Sequence, residues 1–179
     1  MDEDLEGVAG ASPSCGSFGS VNLGSGTYST FNVVNGASYT FSTCGSSFDT
    51  QITGYDPSVV SVFYNDDNGP DCAGTNASVT WTSTFTGTLS VMVNRYSCQG
   101  YDFTGTSALL KYRQNSPTIT PISGTVCIGQ SVALSADQSG GTWSGTGVSG
   151  STFTPASAGN FTITYTLGQC APTTVVTVT

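Results

Sequence analysis

The sequence has no histidine. That excludes Ser-His-Asp and Cys-His activation of a nucleophile, and any zinc centre with a histidine ligand. Glutamate occurs only at Glu3 and Glu6, so a paired-carboxylate hydrolase would have to work with aspartate alone. Positive charge is almost absent too: Arg95, Lys111 and Arg113 stand against a net charge of −8. Nucleic-acid binding needs a basic footprint that releases counterions, so nucleic acid is excluded as a partner; anionic membrane surfaces, which select for the same charge, are disfavoured, and no direct membrane insertion is expected. Charged residues make up only 8%, too few for long solvated helices or coiled coils. No apolar run approaches the ~20 residues of a membrane-spanning helix. The opening Met-Asp-Glu-Asp-Leu-Glu is acidic and lacks the apolar core of a secretory signal. A chain of exported composition without an export signal reads as a monomeric fragment of a longer protein, with Met1 an added start.

What is present is glycine, serine, threonine and short alternating apolar runs. Hydrophobic residues at 37% suffice for thin sandwich cores, and 23 glycines supply turns. Six cysteines, none in a CxxC pair, fit a disulfide framework from an oxidising compartment better than buried thiols or a metal site. Strands are expected at 27–34, 39–41, 51–55, 59–64, 78–84, 88–94 and 107–113. In 88–94 the inward face is Leu89, Val91 and Val93; in 78–84 it is Val79 and Trp81. Asn35-Gly36 and Thr86-Gly87 carry hairpin-turn chemistry. Residues 1–13 read as a disordered or tag-like start, and the polar segment 115–117, ending in Pro117, as a linker. Beyond it, Val132, Leu134 and Ala136 alternate, as do Phe161, Ile163 and Tyr165, and 174–179 is rich in β-branched residues.

The most informative stretch is 39–72. It holds three strand-like runs, Cys44 and Cys72 at its ends, and a carboxylate-rich loop at 65–71. The order YTFSTCGSSFDT, then Tyr55-Asp56, then Asn65-Asp66-Asp67 and Cys72 resembles the pre-peptidase C-terminal (PPC) type β-sandwich, in the form found in secreted Bacteroidetes proteins. The segment GTWSGTGVSGSTFTPASAGNFTITYT resembles the Ig-like repeats of large Bacteroidetes surface proteins. Together these imply an all-β chain of two tandem β-sandwich domains: a jelly-roll-like PPC-type unit at 14–114 and an Ig-like unit at 118–179. The first resemblance implies a Cys44–Cys72 bridge. The second, with the order Cys127, Trp143, Cys170 and the separation of the domains, implies Cys127–Cys170, stapling the sandwich end. Closing its loop of roughly 43 residues is worth about 4 kcal/mol. Cys15 and Cys98 then remain as the third pair. A bridge between the two units would argue against the boundary at 115–117.

Two uses of the carboxylates stand side by side. Asp49, Asp56, Asp66, Asp67 and Asp71 are the oxygen-rich set that calcium prefers. The loop is not an EF-hand, because aligning Gly69 with the invariant glycine puts Tyr64 first and Thr75 last among the ligand positions. Alternatively, Asp-Asp-Asn-Gly is turn chemistry and Asp49 caps backbone amides. Asp66 and Asp67, adjacent in extended chain, would point to opposite faces and could not flank one scissile bond, so no enzyme is expected. Among the aromatic residues Tyr64, Tyr96 and Tyr101 are the candidates for an exposed ligand platform. The expected function is a non-catalytic adhesion or binding segment of a secreted or cell-surface protein, facing an extracellular glycan or protein surface. A substrate-binding accessory module of a secreted hydrolase is the alternative, and a structural spacer the third.

Overall fold

A computed structural model describes residues 8–24, 26–97, 107–122 and 124–179. They are all-β, with fourteen strands and no helix among them. The larger unit contains β1 (Gly19–Gly24), β2 (Thr27–Val33), β3 (Ser38–Ser42), β4 (Thr50–Tyr55), β5 (Ser61–Asn65), β6 (Ser78–Thr82), β7 (Gly87–Arg95) and β8 (Ser107–Gln114). They form two antiparallel four-stranded sheets, β1-β8-β3-β6 and β2-β7-β4-β5. The inward faces interdigitate as the alternation demands: Phe31, Leu89, Val91, Val93 and Ile52 from one sheet meet Leu23, Tyr39, Phe41 and Leu110 from the other, all essentially buried. Aromatic contacts fill the middle, with Phe31 against Phe41 at 5.2 Å and Phe41 stacked on Phe63 at 5.7 Å. A Cβ on Gly54 would stand 2.3 Å from the Phe63 ring, so a glycine lets that ring lie flat on the strand.

Consecutive strands mostly change sheets, and this corrects the expected turns. Asn35-Gly36 joins β2 to β3 and residue 86 precedes β7, yet neither connection is a hairpin because the strands on either side belong to different sheets. Gly36, at φ +83°, is needed all the same: a Cβ there would strike the Ser139 carbonyl oxygen. The tight connection within the larger unit joins β4 to β5, which pair directly. Strand β1 was not expected; Val21 and Leu23 are its only large apolar residues.

The smaller unit contains β9 (Val132–Ala133), β10 (Thr142–Ser144), β11 (Val148–Ser149), β12 (Thr152–Phe153), β13 (Gly159–Thr166) and β14 (Thr173–Val178). Its sheets are β10-β13-β14 and β11-β12-β9, closed over Val126, Leu134, Phe153, Ile163, Val176 and Val178.

The two units share packing. Tyr165 and Leu167 belong to the larger core. Gln114, buried at the end of β8, donates from Nε2 to the Leu167 carbonyl at 2.6 Å and accepts from the Gln169 N–H at 2.8 Å. Gln138 accepts from the Ser38 N–H and donates to the Asn115 carbonyl. Cys15 bonds Cys170 across this junction, with Cα atoms 5.0 Å apart.

That bridge corrects two expected pairings. Cys44–Cys72 forms, but Cys127–Cys170 and Cys15–Cys98 do not, because Cys15 and Cys170 are joined to each other. Cys127 is an exposed free thiol. The reason is strand length. Val126 bridges Val178 at the far end of β14, while Cys170 lies in the β13–β14 turn. Six residues of strand put them roughly 20 Å apart, where a disulfide needs Cα atoms within about 7 Å. Cys98 lies outside the described residues. The bridge also crosses the expected linker, so the two parts are covalently tied as well as packed.

Candidate functional site

The β4–β5 hairpin builds the site at its open end. Asp49 immediately precedes β4 and Asp66 and Asp67 immediately follow β5; the register Ile52↔Asn65 brings the two ends together. Asp49, Asp66 and Asp67 each offer a carboxylate oxygen within 4.8 Å of the others. The expected divergence of Asp66 and Asp67 does not occur. The strand ends at Asn65, so the period-two alternation no longer governs the residues after it.

Asparagines, not aspartates, close the loop. Asn65 Oδ1 accepts from the Ser78 N–H at 2.9 Å and its Nδ2 donates to the Asp67 carbonyl. Asn68, in the left-handed region at φ 46°, accepts from the Gly74 N–H at 2.9 Å. Gly69 N–H reaches the Cys72 carbonyl, and a Cβ on Gly69 would collide with Ser78. The Cys44–Cys72 bridge anchors the loop to the end of β3. On the other flank, Asp49 is fixed through its carbonyl, which accepts from the Tyr96 N–H at 3.1 Å. Buried Thr50 and Thr43 hydroxyls share a hydrogen bond beneath it.

The carboxylates are left with unmet demands. Asp49 Oδ1 and Asp66 Oδ1 are buried without a hydrogen-bond partner, as is Asn94 Oδ1 on β7. Asn94 stands opposite Gln51, two residues along β4 from Asp49. A buried oxygen without a donor carries its full desolvation cost. Burial pushes the Asp49 carboxyl above the ordinary aspartate range, and the neighbouring charges of Asp67 and Asp66 push it further. A divalent cation would answer all of this. Oxygens sharing one calcium at ~2.4 Å lie no more than about 5 Å apart, which matches the observed spread.

The other candidates lie elsewhere. Asp56 sits at the opposite end of the hairpin, roughly 20 Å along β4, where its Oδ1 accepts from the Ser58 and Val60 N–H groups. That is turn chemistry. Asp71 pairs with Arg113 at 3.9 Å and takes a long hydrogen bond from the Ser78 hydroxyl. Tyr64 and Tyr96 are exposed beside the cluster; Tyr101 lies outside the described residues. Trp81, by contrast, is packed among Tyr39, Phe63 and Phe85. Asn94 was missed by the sequence reading. Its signal was available: with Leu89, Val91 and Val93 inward, Asn94 must face outward.

Residues 18–116 match the family model described as a domain of unknown function, DUF8695. The chain belongs to the DUF8695 family. The acidic cluster, Asn94, both exposed tyrosines and the Cys44–Cys72 bridge all fall inside the DUF8695 segment, whereas Cys15 and Cys170 fall outside it. No curated protein matches the chain. Among solved structures it is similar to the pre-peptidase C-terminal domain of a collagenase from Bacillus anthracis, at 12% identity and a TM-score of 0.40, over 64% of this chain and 97% of that one.

Proposed function

We propose that this chain is a non-catalytic, calcium-ordered binding segment of a secreted or cell-surface multidomain protein, of the adhesin type. The observation that carries the reading is the group of Asp49, Asp66 and Asp67, two of them with buried, unpartnered oxygens: Asp66 and Asp67 lie on a loop already held by Asn65 and Asn68, and Asp49 meets them from the start of β4. Asp49, Asp66 and Asp67, with Asn94 beside them, would hold the ion; its chemistry there is electrostatic neutralisation that locks the loop to β4. Two disulfides support an oxidising, extracellular setting.

The test is a thermal melt in calcium and in chelator. Calcium binding only the folded state adds RT ln(1 + [L]/Kd), about 2.7 kcal/mol at a hundredfold excess. Magnesium, which demands tight octahedral geometry, has a much smaller effect. Asp66→Asn loses the response, while Asp137→Asn, whose carboxylate accepts from the Thr118 N–H in the smaller unit, keeps it. Identical melts in millimolar calcium and in chelator would show that these aspartates bind no such ion.

A further inference from the structure

The smaller sandwich is open along one side. Its sheet β10-β13-β14 ends at β10, which pairs with β13 alone. The direction of the β10 main chain follows from β13. Tyr165 N–H donates to the Pro172 carbonyl at 3.0 Å, so the main chain of Tyr165 faces β14. Trp143 stands opposite Tyr165 in a pair without main-chain hydrogen bonds, and its own N–H and C=O face away from β13. Among the described residues none hydrogen-bonds to either group. Edge strands are commonly guarded by charge, proline or a bulge; Thr142-Trp143-Ser144 has none of these. Beside this edge lies a cleft of about 520 Å³. Its apolar lining is Leu134 and Tyr165, both buried, with Trp143 and Ala136. The Trp143 ring, 4.5 Å from that of Tyr165, packs against the cores of both units yet stays only half-buried. The Tyr165 ring is fixed, because its hydroxyl donates to the Gln138 carbonyl and accepts from the Gly141 N–H. No charged side chain lines the cleft, and Asp137 is the only one between 118 and 179.

We propose that β10 accepts an extended, uncharged peptide segment of another protein as an added strand, with an apolar side chain of that segment entering the cleft against Trp143. The unpaired main-chain donor and acceptor of Trp143 select a peptide, which offers the matching acceptor and donor on one residue. The residue that stands opposite Trp143 turns its N–H and C=O toward β10 and its side chain toward the face on which Trp143 lies. Main-chain pairing and cleft filling therefore fall to the same alternate residues of the ligand. The cleft volume lies within the range of about 300–1,000 Å³ typical of binding pockets, and the locked Tyr165 ring means that it is formed in advance. A charged side chain entering it would lose its water and find no group of opposite sign. This surface belongs to the smaller unit, and its occupation needs no cation.

The experiment titrates the full chain with a capped heptapeptide of alternating threonine and valine. The chain has two tryptophans, so Trp81→Phe leaves Trp143 as the only indole emitter; isothermal titration calorimetry of the parent chain gives the same comparison without that substitution. The expected result is a blue shift of Trp143 emission that saturates below about 1 mM peptide. N-methylation of the valines, whose N–H groups face β10 when their side chains face the cleft, weakens binding at least about tenfold, and N-methylation of the threonines leaves it in place. Ser151→Asp, which sets a charge on the cleft lining, weakens binding about tenfold with the denaturant midpoint unchanged. No binding up to about 1 mM overturns the proposal. So does binding that ignores valine N-methylation or Ser151→Asp, or that leaves Trp143 emission unchanged, because the peptide then sits on another edge. A neutral oligosaccharide that shifts Trp143 emission where the peptide does not would make the cleft a sugar site and overturn it as well.

Discussion

Removing the Cys15–Cys170 bridge gives the largest single change in stability that the structure implies. The two cysteines are 155 residues apart, nearly the full chain, so the bridge closes the longest loop. In the chain-entropy description that closure removes about 17 cal/mol/K from the unfolded ensemble, or about 5 kcal/mol at 25 °C. The folded state of Cys15→Ala/Cys170→Ala should change little. Leu167 and Tyr165 remain in the larger core and Gln114 still holds the Leu167–Gln169 turn. The loss therefore appears as a lower midpoint with native tryptophan fluorescence, measured by denaturant unfolding and by thermal melting. For a chain of this size about 5 kcal/mol corresponds to roughly 10–20 °C. A loss below about 1 kcal/mol would refute the reasoning. So would non-reducing peptide mapping that joins Cys15 or Cys170 to any other cysteine.

Gln114→Ala leaves the Leu167 carbonyl and the Gln169 N–H without their buried partner, and should cost about 2–6 kcal/mol in denaturant unfolding, at one to three per orphaned group; a loss under about 0.5 kcal/mol would show that the junction re-forms its hydrogen bonds. For Asp49 the sign follows from its raised pKa. The folded state holds that proton more tightly than the unfolded chain, so its stabilising contribution is complete below the ordinary aspartate range and is lost as pH rises through the elevated value. In chelator Asp49→Asn should accordingly be more stable than the parent at neutral pH, with the gap closing on acidification, and in calcium the order should reverse. Equal stability of the two in chelator across that range would contradict the crowding of charge described above.

Alternation along each strand was enough to place most of the larger sandwich, because a half-buried strand must show one apolar face. What alternation could not show was which sheet a strand joins. Asn35-Gly36 has the same chemistry in a hairpin and in a crossing between sheets, since both need a tight turn with φ > 0. The choice is made by pairing partners far away in sequence, as when β2 takes β7 and β3 takes β6 and β8. The Cys44–Cys72 pairing held, whereas Cys127–Cys170 and Cys15–Cys98 failed for the same reason. Order along the chain favoured Cys127 for Cys170, but the length of β14 separates them, and the Leu167–Cys170 turn is held against Gln114 at the end of β8, which Cys15 bridges.

The candidate site was legible as a composition but not as a division of labour. Asp-Asp-Asn-Gly reads equally as a turn and as a set of ligands, because asparagine and aspartate offer the same oxygen to a backbone N–H. The structure separates the two uses by satisfaction. Asn65 and Asn68 hold the backbone of the loop, Asp56 holds the β4–β5 turn, and Asp71 faces Arg113. In each of those residues a side-chain oxygen already has a partner. Asp49 and Asp66 keep a buried oxygen with no donor, and Asn94, which no sequence motif marks, keeps a third. A loop closed by asparagine has no structural need of adjacent aspartates, and crowding them raises the cost of the folded state. Their position is intelligible once a cation removes that cost, which is why the chelator experiments bear on the function of this face and not only on its stability.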